Sequence, residues 1–209
     1  MLEIADIMRS LSTNRPVFHS ERDFQLALAW KIHEIKPGCG IRLEVPFQIG
    51  KERQYMDIQF QGRNRDQEIA IELKYPKKKL RIEHTGERFD LRAAAARDVG
   101  CHGFIEDIQR LERLLETEKR FTTGFAIFLT NDPLYWEDRK GRTNYDDFHI
   151  SEGEKVAGEM NGVKNGKSTS ICLKNSYDIH WHNYSHVAKQ EKYGRFRYIV
   201  VKVVLPSRT

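Results

Sequence analysis

The sequence predicts an α/β fold in which helices flank a mixed central β-sheet. Two segments have apolar residues at helical spacing, and several others have the apolar patterns of strands. These segments follow one another as helix, three strands, helix and strand, with further strands afterwards. We therefore expect residues 1–209 to form one domain around one sheet, with no linker between two cores.

The first helix is expected over residues 20–36. Phe24, Leu28 and Ile32 recur there at helical spacing, and Ser20 is suited to cap the amino end. The proline and glycine that follow the segment should end the helix.

Three strands are expected next, at residues 41–47, 55–60 and 68–75, where apolar and polar side chains alternate. The polar segment between the second and third strands is typical of a hairpin turn. Residues 76–100 form a long, basic stretch without a regular period.

The second half of the chain begins with the clearest helical pattern, at residues 104–119. A buried strand is expected at 123–130 and two more strands at 177–184 and 196–205. Residues 151–170 are rich in Gly, Ser, Lys and Glu, and we expect a mobile surface loop there.

Composition predicts a soluble, cytoplasmic protein that does not enter membranes. Hydrophobic residues make up 39% of the chain, and no segment approaches the roughly 20 apolar residues of a bilayer span. Cys39, Cys101 and Cys172 are few and widely spaced, which favours reduced thiols over a disulfide framework. The net charge of +5 is compatible with a polyanionic partner but is weak evidence for one.

The second and third strands should bring three charged residues to one face of a hairpin. If the turn centres on Asn64 and Arg65, antiparallel pairing sets Asp57 opposite Glu72, and Lys74 shares their face. The other face is expected to be apolar. Its expected members are Met56, Ile58, Phe60, Ile69, Ile71 and Leu73.

Two carboxylates at this distance repel each other unless a positive charge lies between them. A divalent cation such as Mg²⁺ suits that position because it takes oxygen ligands and often binds one or two carboxylates together with phosphate oxygens. The alternative is an ordinary exposed sheet face on which Asp57, Glu72 and Lys74 form a network of ion pairs.

The chain resembles the PD-(D/E)XK phosphodiesterase superfamily, which includes restriction endonucleases. Asp57 on the second strand and Glu72-Leu73-Lys74 on the third match the D…(D/E)xK pattern, and Met56 stands where the pattern has proline. The resemblance covers residues 18–130 and implies a restriction-endonuclease-like core.

This resemblance implies a role for each matching residue. Asp57 and Glu72 would bind Mg²⁺ or Mn²⁺ with the main-chain carbonyl of Leu73. Lys74 would orient a water and offset charge on the phosphate, and Glu21 would support the site from the first helix. The implied activity is hydrolysis of phosphodiester bonds in nucleic acid, DNA ahead of RNA.

A basic run directly follows the third strand and could hold a phosphate backbone beside the scissile bond. It comprises Lys77, Lys78, Lys79 and Arg81. A solvated loop with surplus charge is an equal alternative. Arg92 and Arg97 are assigned no role, and Asp107 and Gln109 are expected on the surface of the second helix.

His180, His182 and His186 suggest a zinc site at first sight, but the neighbouring aromatic residues favour a strand that packs on the core. For the function as a whole, the alternative to a nuclease is a catalytically inactive module on the same fold that binds nucleic acid or a protein partner. A protein–protein adaptor and a homodimer are also left open.

Overall fold

The computed structural model describes residues 2–63, 68–93, 96–137, 146–164 and 166–205. Within these ranges lie three α-helices, ten β-strands and two short 3-10 helices. No helix in this part of the chain is long and apolar enough to cross a membrane. The helices are α1 Ile4–Asn14, α2 Glu21–Ile35 and α3 Arg97–Thr117. The strands are β1 Gly40–Ile49, β2 Glu52–Gln61, β3 Glu68–Lys74, β4 Leu80–His84, β5 Glu87–Leu91, β6 Phe121–Thr130, β7 Lys155–Lys164, β8 Lys167–Asp178, β9 His182–His186 and β10 Arg195–Val203.

Six strands form the central sheet in the order β1-β2-β3-β6-β10-β9. β3 and β6 are parallel, and the other neighbouring pairs are antiparallel. The predicted mixed α/β architecture is therefore confirmed. The segment between the parallel strands contains α3, as expected of a crossover connection.

Both faces of the sheet are covered, which is why its central strands are buried on both sides. On one face α1 and α2 pack on apolar side chains that include Ile58, Ile71, Leu73, Ile127 and Leu129. On the other face lie α3 and the β7–β8 hairpin. Their apolar cluster includes Ala70, Phe104, Ile108, Phe128 and Leu173.

The helix predicted at 20–36 is confirmed as α2. Its cap is also confirmed, because the Ser20 hydroxyl accepts a hydrogen bond from the Asp23 amide at 3.2 Å. α3 begins earlier than predicted, at Arg97. The first turns of α3 lack a clear apolar period because Gly100 occupies a buried position that would otherwise carry an apolar side chain. A Cβ on Gly100 would collide with the Tyr135 hydroxyl.

The prediction of a loop at residues 151–170 is wrong, because the described part of this segment contains β7 and the first four residues of β8. Val156, Met160, Ile171 and Leu173 point inward and pack beside α3, while most of the side chains between them are exposed. Gly158, whose φ is +64°, stands midway between the buried Val156 and Met160, and the β7–β8 register shifts beside it. Because glycine has no side chain, the apolar alternation of β7 has a gap there, and the sequence does not show the strand pattern.

Two other segments also differ from prediction. The basic stretch 76–100 contains the β4–β5 hairpin, which buries Leu80, Phe89 and Leu91 in the core. The strand expected at 177–184 is divided between the end of β8 and the start of β9.

Candidate active site

The predicted pairing of the β2–β3 hairpin is borne out where the strands are hydrogen-bonded. Ile58 pairs with Ile71, and continuing that register sets Asp57 opposite Glu72. Beyond this pair the ladder opens, and the Leu73 amide donates instead to the Asp57 carboxylate, Oδ2, at 2.6 Å. The main chain of Leu73 therefore holds the Asp57 side chain against β3.

The prediction that Met56 shares a face with Ile58 is wrong. Met56 packs in the cluster under α3, whereas Ile58 packs under α1 and α2. The change of face accompanies a distortion of the neighbouring strand at Glu44, whose φ is +52°. Gln25 on α2 bridges the distorted point, because its amide donates to Glu44 Oε1 at 3.0 Å and to the Asp57 carbonyl at 2.7 Å.

Helix α3 covers the charged face of the hairpin and adds two residues to it. Glu72 is only 1% exposed, and its Oε2 lies 2.7 Å from Arg110 Nη2. The same Nη2 lies 2.8 Å from Asp107 Oδ1, and Asp107 Oδ2 lies 2.7 Å from Lys74 Nζ. The structure thus brings together Glu72, Lys74, Asp107 and Arg110 in one chain of ion pairs.

The expectation of a surface position for Asp107 is wrong, since it is only 2% exposed. The spacing of Asp107 could have predicted its burial. It follows the apolar Phe104 by three residues and precedes Leu111 by four, so all three lie on one flank of the helix. Gln109 is half-buried, and its amide donates to the Cys172 carbonyl at 2.9 Å.

The donor atoms here suit a hard divalent cation. Both carboxylate oxygens of Glu72 are buried without a hydrogen-bond partner among the described residues. Asp57 and the Leu73 carbonyl are the other oxygen donors predicted to bind the ion. No group of three or more His, Cys, Asp or Glu within the described ranges has a metal-binding arrangement. Mg²⁺ commonly takes one or two carboxylates, and Asp57 and Glu72 would supply them, with further ligands from water or phosphate.

Burial dominates the electrostatics of the two carboxylates. It raises the pKa of Asp57 to about 6, although the Leu73 amide and Lys74 act in the opposite direction. Burial and the nearby Asp107 raise the pKa of Glu72 well above its ordinary range, against the effect of Arg110. Burial alone would lower the pKa of Lys74, but Asp107, Glu21 and Glu72 together outweigh burial, and the net shift of the pKa is upward. Lys74 is therefore positively charged at neutral pH.

We expect Asp57→Asn to stabilise the fold above about pH 6 in the absence of metal. The pKa of Asp57 rises from an ordinary 3.8 to about 6 on folding. Wild type should therefore lose stability relative to the variant as pH rises from about 4 to about 6, by at most about 3 kcal/mol. The asparagine carbonyl can still accept the Leu73 amide.

Denaturant unfolding of both proteins at several pH values, with chelator present, measures this difference. It should be small below about pH 4 and constant above about pH 6. A variant less stable than wild type at neutral pH would contradict the proposed desolvation of Asp57.

Glu21 lies next to this group but at the solvent edge. Its Oε2 accepts a hydrogen bond from the Tyr75 amide at 2.7 Å, one residue beyond Lys74. Its charge acts on Asp57 and on Lys74, so Glu21 is near both although it is exposed. A cleft of about 330 Å³ opens at this point. Its lining residues are Glu21, Lys74, Tyr75, Pro76, Val99, Gly100, Gly103, Glu106 and Lys164.

The first half of the basic run is largely engaged within the protein. Lys77 is half-buried, with its Nζ 5.1 Å from the centre of the Tyr75 ring. Lys78 Nζ lies 3.2 Å from Asp132 Oδ2, and the Lys78 amide donates to the Asn131 side chain at 2.8 Å. These contacts join the segment after β3 to the segment after β6.

The second half of the basic run is more exposed. Arg81 Nε lies 3.0 Å from Asp90 Oδ1 across the β4–β5 hairpin, and Lys79 is exposed beside them. A nucleic-acid contact by Lys77, Lys78, Lys79 or Arg81 stays a prediction. Arg97 is buried and donates to Ser151 at 3.3 Å, outside the lining of the cleft.

The histidine-rich segment packs as its aromatic residues predicted. Ile179, Trp181 and Tyr184 are buried in the core. His180 and His182 are exposed, and neither belongs to a metal-binding group of the described chain.

Protein-family models, curated proteins and solved structures were compared with the chain. None of them matches it.

Proposed function

We propose that this protein is a metal-dependent nuclease that hydrolyses phosphodiester bonds in nucleic acid, DNA in preference to RNA. The observation that carries the proposal is the Glu72 carboxylate, which is buried with neither oxygen hydrogen-bonded. A buried carboxylate is costly unless donors or a cation complete its surroundings. Arg110, 2.7 Å from Glu72 Oε2 without hydrogen-bond geometry, does so only in part. Asp57 and Lys74 lie beside it, and Lys74 reaches the open cleft.

The order and direction of the elements support a restriction-endonuclease-like core. In the described chain α2 precedes the antiparallel strands β1, β2 and β3. The β4–β5 hairpin and α3 follow, and α3 leads to β6, which is parallel to β3. The D…ExK pattern is matched by Asp57 on β2 and by Glu72-Leu73-Lys74 on β3. Asp57 directly precedes the part of β2 that pairs with β3.

The proposed chemistry needs one divalent cation, Mg²⁺ or Mn²⁺, which when bound polarises a phosphoryl oxygen and lowers the pKa of a water. The carboxylates of Asp57 and Glu72 and the carbonyl of Leu73 would hold it. Lys74 keeps its proton because Asp107 raises its pKa, so its Nζ offers positive charge to a phosphate in the cleft. Glu21 fixes the main chain just beyond Lys74 through the Tyr75 amide.

The cleft is lined by two lysines, Lys74 and Lys164, and by two carboxylates, Glu21 and Glu106. Lys164 at the end of β7 lies 3.2 Å from Glu106, and Lys77 follows β3 over the ring of Tyr75. A phosphate backbone that enters the cleft would pass these side chains. The charge of Glu21 acts on the half-buried Lys77.

A second candidate function is a catalytically inactive binding module. The observation in its favour is that α3 already neutralises both key residues: Arg110 lies against Glu72 and Asp107 lies against Lys74. A site closed permanently by these ion pairs would bind nucleic acid without cleaving it.

The two candidates are separated by a cleavage assay on linear duplex DNA, single-stranded DNA, branched DNA and RNA. We expect cleavage with Mg²⁺ or Mn²⁺ on at least one DNA substrate, and its complete loss in EDTA. Asp57→Asn, which keeps the Leu73 contact but removes a carboxylate, should reduce cleavage by about a hundredfold or more. Binding to these nucleic acids without any metal-dependent cleavage would favour the inactive module.

A further inference from the structure

The charged group under α3 contains more carboxylates than cations. The cations are Lys74 and Arg110. The carboxylates that act on them are Glu21, Asp57, Glu72, Glu106 and Asp107. Lys164 adds a third cation, because its Nζ lies 3.2 Å from Glu106 Oε2. With every group ionised the excess is two negative charges, which equals the charge that one divalent cation would neutralise.

Arg110 is the cation that lies against the predicted metal ligand. Its Nη2 contacts Glu72 Oε2 at 2.7 Å and Asp107 Oδ1 at 2.8 Å. The contact with Glu72 is close but poorly directed, because neither Glu72 oxygen has a hydrogen-bond partner and Arg110 Nε is also buried without one. A well-formed arginine–carboxylate pair would instead make two parallel hydrogen bonds.

Arg110 is also placed so that its side chain can move away from Glu72. Its side chain is 23% exposed, whereas those of Glu72 and Asp107 are almost fully buried, so the guanidinium lies on the solvent side of both. Asp107 lies three residues earlier on the same helix, and it could keep Arg110 as a partner after the contact with Glu72 is broken.

We infer that Arg110 is an internal cation that competes with the divalent metal for Glu72. This inference rests on the proposed metal-dependent function. In the metal-free protein Arg110 offsets the charge of Glu72, and it must move away before Glu72 can act as a ligand. Arg110 is thus a positioning residue, and it sets the metal concentration at which the site fills.

The test is Mn²⁺ binding, measured by calorimetry on the full chain with Arg110→Met. Methionine keeps much of the side-chain volume and removes the charge. We expect the dissociation constant for Mn²⁺ to fall about tenfold or more, since the competing ion pair is lost. Arg113→Met is the matched control, because Arg113 is exposed on the next turn of α3 and should leave Mn²⁺ affinity unchanged.

The outcomes separate this inference from the function on which it rests. If wild type binds Mn²⁺ and Arg110→Met binds it equally or more weakly, Arg110 is only a structural partner and the inference is overturned. If neither protein binds Mn²⁺, both the metal site and the competition fail.

Should Arg110→Met fold poorly, wild type provides the second measurement. The Nε–H resonance of Arg110 should shift on titration with diamagnetic Mg²⁺, while that of Arg113 stays in place. Saturation with Mg²⁺ that leaves the Arg110 resonance unmoved would contradict the competition.

Discussion

Lys74→Met is expected to reduce DNA cleavage by about a hundredfold or more while nucleic-acid binding changes far less. Lys74 carries its charge in the cleft, and its pKa is raised above the ordinary value chiefly by Asp107. A group that stabilises charge mainly in the transition state affects kcat more than KM. The measurement is kcat and KM on the best DNA substrate, with binding affinity measured separately.

Methionine is preferred to alanine because it keeps most of the side-chain volume of Lys74 while it removes the charge. Asp107 would lose one of its two cations in either variant, although Arg110 remains 2.8 Å from it. We expect a loss of about 1–3 kcal/mol in the free energy of unfolding, less than for a fully unpaired buried charge. The loss arises because Asp107 is buried and keeps its charge beside the uncharged side chain.

A matched control is Lys174→Met, because Lys174 also pairs with a carboxylate on α3 but lies outside the cleft. Its cleavage activity should equal that of wild type. Thermal unfolding of each variant shows whether the assay temperature lies below the transition. Equal residual cleavage by wild type and Lys74→Met on every substrate would mean that a contaminant cuts the DNA, and the binding module would then become the leading proposal.

Glu112→Ala is expected to lower the free energy of unfolding by about 3 kcal/mol. Glu112 is fully buried on α3 and accepts hydrogen bonds from the amides of Lys174 and Asn175, each at 2.9 Å, and from the Tyr177 hydroxyl at 2.9 Å. Alanine would leave these donors without an acceptor at the irregular point where β8 packs on α3.

Denaturant unfolding of Glu112→Ala against Glu116→Ala measures this effect on matched positions. Glu116 lies one turn further along α3 and forms an ion pair with Lys174 at the surface. We expect its replacement to cost no more than about 1 kcal/mol. Similar losses in the two variants would show that the Glu112 contacts do not anchor the β7–β8 hairpin.

The same anchor bears on the proposed active site. The β7–β8 hairpin carries Lys164 to the cleft, and His102 on α3 contacts Thr169 near the other side of the turn at 3.2 Å. Loosening the hairpin should therefore weaken substrate binding, whereas Lys74→Met should act on the chemical step.

Local sequence determined the elements whose signals lie within a few residues of one another. Ser20 caps α2 because a side-chain hydroxyl satisfies an amide three residues on, a contact that needs no other part of the chain. The β2–β3 register follows from alternation and the length of the turn, so Asp57 and Glu72 could be placed opposite each other. The apolar period also predicted the later turns of α3 and the strand β6.

Only the tertiary structure decided what those charged residues touch. Asp107 and Arg110 reach Glu72 and Lys74 because α3 packs across the sheet, a contact between residues more than thirty positions apart. In the same way, Gly158 leaves a gap in the apolar alternation of β7. Pairing with β8 and packing beside α3 decide that this segment is a strand. Propensity and period describe neighbours along the chain, whereas the ionic partners of a buried carboxylate depend on which distant helix covers it.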